Sequence, residues 1–554
     1  MLPVRLATPG RCQTGRTQLQ GEVMLPLKEK DKIIIKKMLA AGCCARCVLR
    51  FCCISVPAAY RQRRQDTLEQ LCAFVEAADD DSREPAAPEE SEDSREPAVK
   101  RAKVEVAEEA SVCVLCLGVL QHLSDVPQAV KIADAVTKEN YEVDSLVLSM
   151  SLPAQLCVRE HSCWLHVKEQ VRAKCGLLGK DDVVQVKEAF KWVMQDLLAK
   201  ELGGVAVVTK SGLEVSVGFT HPETDADCHF LATSCPDCFK ATKNKQSVFT
   251  RMAVVKALEK ITDGKFLKST PCPPSRVSSS CTPQDVQCAH VAVFVAGRYN
   301  KFCRSLPQTP WLIDGERRME SSVEELIAAP VLAAFRADGF NFSSSGREDV
   351  DVRTLGNGKR RGVVAAGTTF DPLATLAGRP FAMELLNPRR NQLSPDHMKK
   401  VQQTINESSD KIRVRDLQMV SRDAMSRMKE GEEEKTKSYR ALVWTLKSIQ
   451  PDDITFMDHV KDLALDQKTP LRVLHRRTLA VRRRVIHSMS AVFLDAHHFH
   501  LRLKTQAGTY IKEFVHGDFG RTKPNLCQLL HTDTDILELD VESVDVDWPP
   551  VLPD

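Results

Sequence analysis

The chemistry-bearing stretch of this chain is Ser343-Ser-Ser-Gly-Arg347-Glu-Asp349-Val-Asp351-Val-Arg353-Thr-Leu-Gly356. It sets two aspartates between arginines in a loop flanked by glycines. Nearby positive charge favours the ionised carboxylate, so such an aspartate stays charged at neutral pH. It can then act as nucleophile or base at a sugar carbon. A second stretch, Lys504-Thr-Gln-Ala-Gly508-Thr-Tyr510-Ile511-Lys512-Glu513, reads as a strand ending at a glycine, then an aromatic ring and a cation. Between them lie Glu434-Lys-Thr-Lys437-Ser-Tyr439-Arg440 and the basic run from Arg472 through Arg476 and Arg477 to Arg482, Arg483 and Arg484. Arginines alternating with apolar residues leave one face for a core and the other for phosphates. A lone basic strand is more often a solvated face. Its company with the acidic loop points to nucleic acid.

Cysteine offers the other chemistry. The chain has 20 Cys, and after Cys303 only Cys527 remains. Three Cys-x-x-Cys pairs occur: Cys44/Cys47, Cys113/Cys116 and Cys235/Cys238. One such pair brings two thiolates to a shared zinc, and two pairs close a tetrahedral structural site. The first two pairs flank an acidic linker, as expected if zinc staples an N-terminal segment to the domain beyond. Cys43, Cys52 and Cys53 are expected to be ordinary thiols. The third pair follows His221-Pro-Glu223, the outline of a zinc-deaminase signature. Ser234 stands where that signature has proline, however, and the interval is short. A tight turn before a helix containing Arg251 to Leu258 is the expected reading.

The elements that must position these groups are legible in outline. A chain of 554 residues suggests three or four domain-sized units. Its 43% hydrophobic content supports sizeable cores. The net charge of only +3 excludes a histone-like, wholly basic protein but not a local basic groove. No apolar run of membrane-spanning length appears. Residues 1–23 are basic, lack an apolar signal core, and are expected to be a disordered extension or a weak mitochondrial presequence. Without a secretory signal, the cysteines are expected to be reduced thiols. Helices are expected over Lys28–Leu39 and Arg61–Ala78. The acidic, Pro/Ser/Glu-rich stretch 79–103 duplicates Asp-Ser-Arg-Glu-Pro-Ala, reads as a linker, and ends in the basic Lys100-Arg-Ala-Lys103. Strands and helices then alternate to about residue 300, with strands at Ser145–Leu152 and Leu213–Phe219 and a helix at Val183–Leu198. Beyond Arg298 strands dominate, at Leu471–Ile486 and His498–Lys504, with helices at Val323–Phe335 and Ser394–Ile405. These patterns predict two α+β blocks meeting near 290–305.

The long motifs resemble one family. Gly346-Arg-Glu-Asp-Val-Asp-Val-Arg-Thr-Leu-Gly356 resembles the catalytic loop of the Pus-ten family of tRNA pseudouridine synthases. Gln467-Lys-Thr-Pro-Leu-Arg-Val-Leu-His-Arg-Arg477, Gly508-Thr-Tyr-Ile-Lys-Glu-Phe-Val-His-Gly-Asp-Phe-Gly-Arg521, Phe294-Val-Ala-Gly-Arg-Tyr-Asn-Lys301 and Pro307-Gln-Thr-Pro-Trp311 are similar to further family segments. The resemblance runs from about Met24 to the C-terminus. It implies an N-terminal zinc-binding segment (24–78) and a THUMP-containing accessory RNA-binding domain (104–300). A pseudouridine-synthase catalytic domain with a central mixed, mostly antiparallel sheet (301–554) would follow. The zinc ligands carry over to Cys44, Cys47, Cys113 and Cys116. The catalytic aspartate falls on Asp349, with Asp351 its rival. The aromatic that stacks on the base falls on Tyr439, and the cation pairing with the aspartate on Lys512. Ile511 would pack beside the base, and Leu539 would line the pocket, with Leu537 the alternative. Arg347, Arg476 and Arg477 complete the expected substrate contacts.

The implied activity is isomerisation of T-loop uridines of tRNA to pseudouridine, with structural zinc and no organic cofactor. The implied setting is a monomer in nucleus and cytoplasm, extending to the mitochondrion, acting on tRNA and on other structured RNAs, without a membrane partner. Two departures stand out. Residues 1–23 lie outside the resemblance. Residues 359–378 form an insertion a few residues past the catalytic loop. If that insertion spoils the loop, the chain is instead a non-catalytic RNA-binding or processing factor, for instance for primary microRNA.

Overall fold

The structure is a computed structural model describing residues 24–77, 111–174, 179–240, 248–356, 378–429, 435–546, 548–550 and 552. The predicted extension (1–23), the linker (79–103) and all of the insertion but Gly378 lie outside the described residues. Two compact units are present. One comprises residues up to Glu139 together with Asp144–Cys288. The other comprises Asn140–Val143 and Ala289–Asp554. The strand Val293–Lys301 belongs wholly to the second unit, so a boundary at 300/301 falls on its last residue instead of in a connection.

The first unit starts with α1 (Asp31–Ala40), whose Ile34, Ile35 and Met38 are buried, and α2 (Ala45–Phe51), which is buried on all sides. A short parallel sheet follows, ordered β2 (Ala206–Val207), β1 (Ser145–Ser151), β3 (Leu213–Thr220), with β4 (Thr282–Pro283) antiparallel at its edge. Parallel neighbours need a long crossover. Here α3 (Gln155–Lys174) and α4 (Val186–Glu201) lie between β1 and β2 in sequence. The strands alternate as amphipathic β patterns should: Leu146, Leu148 and Met150 of β1 are buried, as are Leu213, Val215 and Val217 of β3.

The second unit is built on an eleven-stranded sheet. In chain order its strands are β5 (Val293–Lys301), β6 (Gly339–Ser344), β7 (Arg353–Thr354), β8 (Arg379–Leu386), β9 (Ile412–Val420), β10 (Thr436–Thr445), β11 (Lys461–Lys468), β12 (Val481–Asp495), β13 (His498–Gln506), β14 (Thr522–Lys523) and β15 (Thr534–Val544). Across the sheet they run β14-β11-β12-β13-β10-β15-β7-β5-β8-β6, with β9 also on β5. The pairing β7–β15 is parallel and the rest are antiparallel. This agrees with the expected mixed, mostly antiparallel sheet. Two helices cover one end. In α5 (Val323–Phe335) the Ser322 hydroxyl accepts from the Glu325 amide. In α6 (Pro395–Ser408) Ser394 does the same for His397, with proline at the first turn. Both bury an apolar stripe in a core that includes Val331, Phe335, Met398 and Ile405.

One predicted strand is corrected. Leu471–Ile486 is not continuous: Leu471–Arg476 forms a short 3-10 helix, and β12 begins at Val481. Pro470 presets a helical φ, and Leu471, Leu474, Leu479 and Val481 are all exposed, so their alternation records no core.

Asp540 of β15 ties this sheet together. It is buried and pairs with Arg304 and Arg353 at 2.7 Å and with Arg440 at 3.3 Å. Burial pushes its carboxyl up, but the hydrogen bond from Arg353 and the charges of Arg304 and Arg353 outweigh that. Its pKa falls below the ordinary 3.8. A carboxyl depressed on folding stabilises above its unfolded pKa and loses that stability as pH falls through the folded one. Asp540→Asn is therefore expected to cost about 3 kcal/mol at pH 7, roughly 6–12 °C in melting temperature. It should also flatten the loss of melting temperature below about pH 4, as read by thermal melts across pH.

Candidate active site and metal centre

Segments far apart in sequence close on one cavity of about 610 Å³ in the second unit. Gly346 to Asp349 line it from the loop after β6. Tyr439 comes from β10, Leu539 and Val541 from β15, Arg482 and Arg484 from β12, and Gly508 to Lys512 from the turn after β13. Register explains the β10–β15 wall. Tyr439 pairs with Val541 and Ala441 with Leu539, so a ring and two aliphatic side chains share a face. Leu537, the alternative to Leu539, is 53% exposed and does not line the cavity. Burial raises the Tyr439 phenol, with Arg379 opposing, so it enters the cavity as a neutral hydroxyl.

The cations are distributed differently from expectation. Arg472 Nη1 donates to Asp349 Oδ2 at 2.8 Å. Lys512 Nζ lies 3.7 Å from Asp349 but 2.6 Å from Asp351. Arg472 is thus the direct partner of Asp349, and Lys512 is shared. Arg472 is itself held by the buried Glu513, at 2.6 Å. Burial acts to raise the Asp351 carboxyl, but the bond from Lys512 outweighs it, and the net shift is downward. Asp349 lines the cavity and Asp351 does not. Arg347 and Arg477 are exposed on the lining, and the side chain of Arg476 lies outside the described ones. Strand alternation separates the basic triplet: Arg482 and Arg484 face the cavity, whereas Arg483 does not.

Several positioning groups went unread in the sequence. The Gln467 side chain is fully buried and clamps the backbone of one residue. Its Nε2 donates to the Tyr510 carbonyl and its Oε1 accepts the Tyr510 amide, both at 2.9 Å. That fixes the start of α7 (Ile511–His516), which carries Ile511 and Lys512. Gly508 has φ +78°, and a Cβ there would stand 3.3 Å from the Arg484 guanidinium. A glycine permits both the turn and the close approach. Behind Asp349, Glu348 is buried against Arg379 at 2.8 Å and accepts the Tyr299 hydroxyl at 2.8 and 2.9 Å. Gln308 donates to Tyr299, Ser344 and the Gly346 carbonyl. Arg379 follows the insertion directly, so the residues on both sides of it, Gly346 to Glu348 and Arg379, meet at this cavity.

The metal-ligand set lies in the first unit. The sulfurs of Cys44, Cys47, Cys113 and Cys116 all fall within 4.8 Å of one another, and those of Cys44 and Cys116 are 3.9 Å apart. A tetrahedral ion with metal–sulfur bonds of about 2.3 Å requires sulfurs about 3.8 Å apart. The four thiols therefore fit a metal ion. α2 starts immediately after Cys44, whose amide donates to the Cys113 sulfur at 3.2 Å. The fully buried Arg50 donates to Cys47 at 3.9 Å and pairs with Glu160, bracing Cys47 from behind. The deaminase outline is not assembled. Among the described residues no metal-type cluster includes Cys235, Cys238 or His221. The His221 ring instead meets Thr224 Oγ1 and the Ser279 carbonyl at 2.9 Å each.

Comparison with known proteins places this geometry. Residues 113–288 match the family model "Eukaryotic Pus10, N-terminal", and residues 294–364 and 371–545 match "Pus10, C-terminal". The mouse protein named tRNA pseudouridine synthase Pus10 is 55% identical over 556 residues, covering 96% of this chain and all of that one. The human protein of that name is 53% identical over 558 residues, with the same coverage. A Thermofilum pendens protein of that name is 35% identical over 256 residues, 46% of this chain and 52% of its own. A chain in a crystal structure of a Cbf5-Nop10-Gar1 complex overlaps 45% of this chain and 48% of its own, at 14% identity and a TM-score of 0.24. With family models matched over most of its length and relatives above half identity end to end, this chain belongs to the Pus10 family.

Proposed function

We propose that this chain is a tRNA pseudouridine synthase that isomerises T-loop uridines, with Asp349 as its catalytic aspartate. The observation that carries the reading is the meeting of an arginine-paired aspartate, an aromatic ring and two aliphatic residues in one cavity of a Pus10-family chain. At about 610 Å³ the cavity falls in the range of small-ligand sites, about 300–1,000 Å³.

The reaction moves no group between molecules. The C1′–N1 bond breaks, the base turns, and a C1′–C5 bond forms. C5 gives up its proton and N1 gains one. No oxidant, reductant or organic cofactor enters that balance. A target uridine must leave its stack, at a cost of about a few kcal/mol. Tyr439 stacks on the extruded base, an interaction of about 1–3 kcal/mol, while Ile511 and Leu539 wall it in. Asp349, paired with Arg472 and Lys512, begins the reaction at the ribose, as nucleophile at C1′ or as base at the 2′ carbon. Arg347, Arg476 and Arg477, with Arg482, supply the phosphate contacts. In the first unit Cys44, Cys47, Cys113 and Cys116 hold zinc, and the THUMP-type RNA-binding function belongs with its β1–β3 sheet. Other structured RNAs would dock by the same basic rim, to a monomer distributed between nucleus, cytoplasm and mitochondrion.

The test is pseudouridine formation on an unmodified tRNA transcript, mapped by nucleotide, with wild type and Asp349→Asn. Equal product from the two would overturn the assignment of Asp349. tRNA binding without product from wild type would favour the non-catalytic reading, and activity gained on deleting 359–378 would assign the defect to the insertion. Tyr439→Leu is expected to lower the single-turnover rate about 10- to 100-fold, as loss of stacking predicts. Tyr439→Phe keeps the ring and tests whether the hydroxyl takes the C5 proton.

A further inference from the structure

We propose that Lys301 is a positioning residue for Asp349, a buried ammonium that holds the catalytic loop from behind and supplies fixed positive charge to it. This rests on the reading of Asp349 given above. Lys301 ends β5 and is fully buried. Its three ammonium protons match three carbonyl oxygens: Leu306 at 2.7 Å, Asp349 at 3.0 Å and Val350 at 2.9 Å.

Two features separate this lysine from an ordinary structural one. Taking an ammonium out of water is costly, so a purely architectural contact is more easily made by a neutral donor. Burial does push the Lys301 ammonium below the ordinary lysine range, with the charges of Glu348 and Asp351 opposing. Its bonds also go to the peptide of the proposed catalytic residue itself, which sets where the Asp349 carboxylate stands relative to Arg472. The neighbouring platform is equally dry and equally specific. Glu348, next to Asp349 in the chain, is locked by Arg379, Tyr299 and Gln308. Asp349 is therefore gripped by its own carbonyl on one side and by its neighbour's carboxylate on the other.

The charged groups around Asp349 are Arg472 at 2.8 Å and Lys512 at 3.7 Å, with Asp351 and Glu513 competing for those two cations. Lys301 adds a third positive charge behind the loop, where Glu348 and Asp351 are the acids that act on it. Removing it takes that charge from behind the loop and leaves the Asp349 carboxylate less well placed.

The experiment compares Lys301→Met and Lys301→Gln with wild type on a tRNA transcript. Single-turnover rate, tRNA affinity, melting temperature and the pH dependence of the rate are measured. The expected result is a rate lowered at least 10-fold in both variants, tRNA affinity within 2-fold of wild type, and an acid limb displaced to higher pH. Lys301→Gln keeps hydrogen-bonding capacity without charge, and serves where Lys301→Met does not fold. Unchanged rates in a folded variant would overturn the proposal, as would a rate loss with an unmoved acid limb, which a merely architectural lysine predicts. If neither variant folds, Lys301 is architectural and the proposal falls. Absence of product from wild type would instead overturn the reading of the reaction.

Discussion

Asp349→Asn is expected to abolish pseudouridine formation, by at least about 1,000-fold in single-turnover rate, while tRNA binding stays within a few-fold. The asparagine keeps the size of the side chain and removes the charge that either opening step requires. Losing a group that acts only in the chemical step lowers the rate without weakening the ground-state complex. Phosphate contacts dominate RNA affinity, and a carboxylate supplies none. Its removal also frees Arg472 to pair with Glu513 alone, at 2.6 Å, so local folding should survive. The rival carboxylate gives the control. Asp351→Asn should release Lys512 from its 2.6 Å partner and leave substantial activity. If the two variants exchange behaviour, Asp351 is the catalytic group. Rates from a radiolabelled transcript, with affinities from filter binding, decide it.

The second large effect belongs to the cysteines. Replacing Cys47 or Cys116 with serine is expected to eject the metal and open the N-terminal segment. Apparent zinc binding in small structural sites is about 10–16 kcal/mol, comparable to the whole stability of a domain, about 5–15 kcal/mol. Both cysteines are fully buried, so a serine leaves three thiols around a polar hydroxyl. Expected results are a fall from one zinc per chain to near zero by elemental analysis, and rapid proteolysis within residues 24–77. Cys235→Ala and Cys238→Ala should change neither quantity. A fully folded, metal-free Cys116→Ser protein would show that the thiols pack without needing an ion.

What was legible in the sequence had physical causes. The capped helices Val323–Phe335 and Pro395–Ser408 follow from local signals, a serine acceptor and an apolar stripe, which the tertiary core then reinforces. The strand predicted across Leu471–Ile486 failed because alternation alone cannot distinguish a buried face from an exposed apolar one. Asp349, Tyr439, Lys512, Ile511 and Leu539 were nominated through family motifs, and nothing local announced that they share a cavity. Lys301 and Gln467 were invisible for a related reason. Both stand in family motifs that gave them no role, and only the pairing of β5 with strands on both sides and the closure of the Tyr510 turn bury them. Arg472 lay in the basic run, but its pairing with Asp349 depends on the 3-10 turn that replaced the predicted strand.

The four-sulfur cluster also bears on how this chain tolerates change in length. Cys47 and Cys113 are brought to one point although 65 residues separate them in the sequence. Closing a loop costs an entropy that grows only with the logarithm of its length, about 0.6 kcal/mol per doubling. With the cysteine pairs meeting at one point, residues added or deleted beyond the packed helices Ala45–Phe51, Pro57–Arg61 and Arg64–Glu76 would change that closure term little. The stretch 79–103, whose composition reads as a linker, is thus a permissive insertion point, where relatives can differ in length and an experimenter can place a tag.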